Sequence, residues 1–131
     1  VVVSNRPIAC PIVGAPNSLV ICNKASLSKF APRLQPGGLL VFNSSLIQNL
    51  HSIPDGIEIV GVPAEELAIE AGSPKSANMV MLGAYLGKRG HLSPQQAAEA
   101  LPDVLAERHH KTIPMNAEAL RRGAQYALQQ T

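Results

Sequence analysis

The hydrophobic pattern of the chain alternates between short apolar runs and stripes of helical period. Val1-Val2-Val3 reads as a strand, and Pro7 to Ile12, with two prolines, reads as an extended loop. Leu19-Val20-Ile21-Cys22 is wholly apolar, which predicts a strand buried on both faces. Asn23 then stands where a helix cap is needed. Behind it Leu27, Phe30, Ala31 and Leu34 fall at i, i+3, i+4 and i+7, one apolar stripe. Pro32 ends or kinks that helix, and Pro36-Gly37-Gly38 makes the turn. Leu39 to Phe42 predicts a second buried strand, with Asn43-Ser44-Ser45 at its exit. Ile57 to Val62 predicts a third, after the turn Pro54-Asp55-Gly56.

The rest of the chain reads as helical. Pro63 suits the first helical position, Glu65 and Glu66 complement the dipole of the first turn, and Gly72 ends the helix. Ser73-Pro74 starts the next. From Ala77 to Leu86 that helix is apolar almost all round and much too short to span a bilayer, so it is expected to be buried in the domain or between subunits. Gly83, Ala84 and Gly87 would admit another backbone closely. Ser93-Pro94-Gln95-Gln96 is a capping box. The last helix is expected from near Asn116, with Ala117, Leu120, Ala124 and Ala127 or Leu128 on one face.

Strands alternating with helices over short connections predict an α/β fold: three layers, Rossmann-like, a mostly parallel sheet flanked by helices. No linker and no internal repeat divides the 131 residues, so 1–131 reads as a single domain.

Composition narrows the function classes. Charged residues make up 15% of the chain, against about 25% in an average soluble domain, which suits a surface partly covered by a partner. Two Phe, two Tyr and no Trp argue against a nucleic-acid module that stacks bases, and a net charge of +2 does not suggest DNA binding. The charge is uneven. Before Asp55 there are four bases (Arg6, Lys24, Lys29, Arg33) and no acid, which suits either chance or a positive face toward an acidic or phosphate-bearing partner. Cys10 and Cys22 are the only cysteines, too few to ligate an iron–sulfur cluster and without a disulfide framework. The expectation is a reduced, cytoplasmic protein with no membrane segment. The start inside an apolar run, without Met, suggests a missing N-terminal part.

Candidate ligand or interface residues lie where open α/β sheets place them, beyond the carboxyl ends of strands: Asn23, and Asn43, Ser44 and Ser45. The same residue types also cap helices and build turns. Asn78 is a candidate because an amide inside an apolar helix needs a partner, in a loop or across an interface. His109 and His110 are adjacent, not at i, i+4, and do not form a metal pair on a helix; with His51 and His91 they read as solvated. Cys10 has no neighbouring base, and there is no GxGxxG, P-loop or GxSxG. No residue is assigned as catalytic or as a metal ligand.

Two resemblances bear on function. Leu27 to Leu40, containing Leu34-Gln35-Pro36-Gly37-Gly38, resembles the late helix, turn and strand of S-adenosylmethionine methyltransferases. The acidic, glycine-rich loop of those enzymes has no counterpart here. The alternative reading is therefore a methyltransferase-like or non-catalytic α/β binding domain. A second family covers nearly the whole chain, in order and spacing. Ser4-Asn5-Arg6-Pro7-Ile8 with Pro11-Ile12-Val13, Leu27-Ser28-Lys29-Phe30, Leu34 to Leu40, Asn43-Ser44-Ser45-Leu46-Ile47, Val62 to Ala68, Ala77 to Ala84 and Pro114 to Gly123 together resemble the gamma subunit, or gamma domain, of 2-oxoacid:ferredoxin oxidoreductases. These include pyruvate, ketoisovalerate and 2-oxoglutarate enzymes. The Asn43–Ile47 run and His109-His110 are most similar to the 2-oxoglutarate branch. The glycine-rich turn with which family members begin is absent from this sequence.

The resemblance implies a hetero-oligomeric enzyme that converts a 2-oxoacid and CoA to acyl-CoA, CO2 and reduced ferredoxin. It implies partners: alpha, beta and ferredoxin-like subunits, and ferredoxin itself. It implies thiamine diphosphate, Mg and iron–sulfur clusters in the holoenzyme, with CoA as co-substrate and no cofactor held by this chain. This subunit would assemble with the others and help shape the site, and would be inactive alone.

Overall fold

The computed structural model describes residues 1–130. Three strands, β1 (Ser18–Ile21), β2 (Leu39–Asn43) and β3 (Glu58–Val62), form one sheet in the order β1-β2-β3, with both pairings parallel. The register sets Ile21 against Phe42 and Asn43 against Val62, so the three carboxyl ends finish side by side.

Side-chain alternation along β2 sorts the core into two layers. Leu39 and Val41 face one side with Val60 and Val62, and there they meet α2 (Ala64–Ala71), α3 (Ala77–Arg89) and α6 (Ile113–Gln129). Leu40 points to the other side and joins Ile21, Leu27 and Leu34, under α1 (Lys24–Phe30) and the loop residue Ile47. Helices on both faces of a parallel sheet make the expected three-layer α/β fold. The short helices α4 (Pro94–Glu99) and α5 (Leu101–Val104) and the 3-10 segment Glu107–Thr112 lead into α6. Leu101 packs with Leu86 and Leu120 at that end of the helical layer.

Helix α1 begins as the sequence predicts. Asn23 is extended, and its Oδ1 accepts from the Ser26 N–H at 2.9 Å. Pro32 stops the helix at Phe30, and a single 3-10 turn carries the chain to Leu34. Asn23→Ala is expected to cost about 1 kcal/mol of stability, read as a shift in urea midpoint.

The core of the helical layer is the crossing of α3 and α6. An ideal Cβ on Gly83 would lie 2.0 Å from the Leu120 carbonyl oxygen, and one on Gly123 would lie 1.9 Å from the Val80 oxygen. Each helix thus sits in the other's glycine notch, closer than any side chain would allow.

Several expectations are corrected. Val1–Val3 is not a strand; it is irregular and pairs with nothing in the sheet. β1 is not buried on both faces, because it is an edge strand: Val20 is exposed, and Cys22 lies beyond the strand, also exposed. Pro63 caps α2 from outside the helix and does not occupy its first turn. Ser73 caps a 3-10 turn, Pro74–Ser76, that runs into α3. α3 is two-sided: Val80, Met81, Ala84 and Leu86 are buried while Asn78 and Leu82 are exposed. α6 starts at Ile113, earlier than Asn116, and buries Ala119, Leu120, Gly123, Ala124 and Ala127, leaving Leu128 outside.

The exposed face of α6 carries a charge network. Arg121 and Arg122 both donate to Glu118, and Arg122 also reaches Glu70 of α2 at 2.6 Å. Arg121 first, then Arg122, lower the Glu118 carboxyl from its ordinary 4.5 to about 2. A depressed carboxylate pKa stabilises the fold above the unfolded value and ceases to as pH falls toward the folded one. The contribution of this pair is therefore expected to fade from about pH 4.5 down to about pH 2. Solvent screening holds it below about 1 kcal/mol. Acid titration of Arg121→Gln against the parent chain should show the difference vanish in that window.

Candidate functional site

The polar residues at the carboxyl ends of the strands form one connected cluster, and α2 completes it. Asn43 ends β2 with only 3% of its surface exposed. Its Nδ2 donates to Glu65 Oε1 at 3.1 Å, and its Oδ1 accepts from the Ser45 N–H at 3.1 Å. The Ser45 hydroxyl donates to Glu66 and accepts from the Glu65 N–H at 3.2 Å. The Ser44 N–H donates to the Val62 carbonyl at 2.8 Å, extending the β2–β3 ladder past the strand.

The local reason for this wiring is Pro63. It stands at the N-cap of α2 and has no side-chain oxygen to offer the orphan N–H groups of the first turn. Ser45 supplies that oxygen from across the sheet. The parallel register that sets Asn43 beside Val62 brings it within reach.

The electrostatics follow from the same contacts. The Ser45 hydroxyl, then the backbone amide of Glu66, draw the Glu66 carboxyl below its ordinary value. Partial desolvation of the sulfur, then the charge of Glu65, push the Cys22 thiol up, although the residue as a whole is exposed. Cys22 is thereby held protonated and is not an activated nucleophile. Glu65 Oε2 is buried and has no hydrogen-bond partner among the described residues.

The cluster takes in some sequence candidates and not others. Asn43 and Ser45 meet in it, and Ser44 enters through its backbone. Asn23 serves as the α1 cap. Asn78 is exposed on α3 and belongs to no part of the cluster, so its amide is not a buried group in need of a partner. Glu65 and Glu66 were readable only as dipole-favouring acids; nothing local ties them to Ser45, some twenty residues earlier.

Chemically the cluster holds the exit of β2 to the start of α2. Its one hydroxyl–carboxylate contact, Ser45 to Glu66, is engaged at the first turn of α2, where the same hydroxyl accepts from the Glu65 N–H. Among the described residues no group of three or more His, Cys, Asp or Glu side chains is placed to hold a metal ion. A cysteine-ligated iron–sulfur cluster does not fit this chain, which has two cysteines. The His109 ring accepts from Arg108, and the His110 ring bonds the Leu105 carbonyl oxygen at 2.9 Å, so both serve the chain before α6. Among the described residues no helix is long and apolar enough to cross a membrane.

Comparison with known proteins agrees with this fold and with the longer of the two sequence resemblances. The chain is 35% identical over 130 residues to ketoisovalerate oxidoreductase subunit VorA of Methanothermobacter thermautotrophicus, covering 97% of this chain. It is 32% identical over 129 residues to the subunit of that name from Methanothermobacter marburgensis, again over 97% of this chain. It spans 26% of the length of each, about a quarter of these relatives. The fold is similar to a keto/oxoacid ferredoxin oxidoreductase gamma subunit from Geobacter sulfurreducens PCA, with a TM-score of 0.75 and 24% identity over 86% of this chain and 64% of that one. It is also similar to part of the 2-oxoglutarate:ferredoxin oxidoreductase of Magnetococcus marinus, with a TM-score of 0.77 and 24% identity over 98% of this chain and 22% of that one. The sequence profile described as pyruvate ferredoxin/flavodoxin oxidoreductase matches residues 1–126, far beyond the methyltransferase-like stretch Leu27–Leu40, and the chain belongs to that family.

Proposed function

We propose that residues 1–131 act as one gamma-type domain of a cytoplasmic, multi-subunit 2-oxoacid:ferredoxin oxidoreductase. The enzyme joins the acyl group of a 2-oxoacid to CoA, releases CO2 and passes the electrons to ferredoxin. The family match across residues 1–126 carries this reading. Thiamine diphosphate with Mg and the iron–sulfur clusters belong to other parts of the enzyme, as the shortage of cysteines here requires for the clusters. Within the enzyme this domain is structural: it assembles with the alpha, beta and ferredoxin-like parts and shapes the site, with Asn43, Ser44 and Ser45 fixing the carboxyl edge of the sheet.

We assign 2-oxoglutarate as the acid, on the Asn43–Ile47 run and His109-His110. A second reading, a branched-chain acid, is favoured by the names of the 35% and 32% identical relatives. Affinity purification of the full-length protein from its native cells, with mass spectrometry of what accompanies it, tests the proposal. The proposal expects thiamine- and cluster-binding polypeptide in the preparation and faster turnover of 2-oxoglutarate than of ketoisovalerate. A lone monomer that binds S-adenosylmethionine overturns it.

A further inference from the structure

We draw no further inference here: the strongest candidate, the side-chain cluster at the carboxyl ends of the strands in which Glu65 Oε2 is buried without a hydrogen-bond partner among the described residues, belongs to the site already described, and nothing in the structure shows what would meet that oxygen.

Discussion

Gly83→Ala is expected to destabilise the chain by about 3 kcal/mol or more, a large part of the roughly 5–15 kcal/mol that holds a domain of this size. The new methyl would lie 2.0 Å from the Leu120 carbonyl oxygen, which is backbone and cannot rotate aside. Relief requires α3 and α6 to separate. That opens gaps around Val80, Met81, Ala119 and Ala127, all at most 1% exposed. Gly123→Ala should act alike, its methyl 1.9 Å from the Val80 oxygen. The two should not add, because one separation of the helices relieves both. Two controls isolate the cause. Gly14→Ala has nothing within 4 Å and should stay within about 0.5 kcal/mol of the parent. Gly90→Ala, at φ +67 and also in open space, should cost about 1 kcal/mol through its backbone alone. Urea midpoints of the four variants separate these cases.

Asn43→Ala is expected to cost about 2–3 kcal/mol, the largest effect of a single change outside the glycine notches. It leaves Glu65 Oε1 without its donor beside an Oε2 that already has none among the described residues, and it frees the Ser45 N–H. Asn43→Asp should do no better, since it sets a second carboxylate against Glu65. Adding Glu65→Gln to Asn43→Ala should recover about 1 kcal/mol, because an uncharged amide tolerates the missing donor better than a carboxylate. If the cluster were incidental, the single changes would add and the double variant would be the least stable of all. Urea midpoints of the two single variants and the double decide between these outcomes.

What the sequence discloses here is local and periodic. The Asn23 cap, the stop at Pro32, the turn at Gly37 (φ +73) and the capping box at Ser93 each depend on residues within one turn, and each is present. The two buried layers of β2 follow from its apolar run. Features that depend on tertiary neighbours are not legible. The notch at Gly83 could be anticipated as a close approach, but its match with Gly123 depends on where α6 crosses, which periodicity does not specify. β1 looks like a buried strand because Leu19 to Cys22 is apolar, yet its place at the sheet edge exposes Val20. Glu65 and Glu66 join Asn43 and Ser45 only because the parallel register brings two strand exits together. Asn78 shows the same limit: an apolar sequence neighbourhood does not fix whether a helix position is buried within the domain or faces outward, where Asn78 lies.

The proposed role is that this chain contributes assembly and shape to an enzyme whose cofactors are held by other parts. The most direct measurement is CoA-dependent reduction of ferredoxin with a 2-oxoacid, run side by side on the purified holoenzyme and on the 131-residue chain at equal concentration. The account predicts turnover in the holoenzyme and none above background in the isolated chain. Turnover by the isolated chain, or a purified full-length protein that never accompanies such activity, would contradict it.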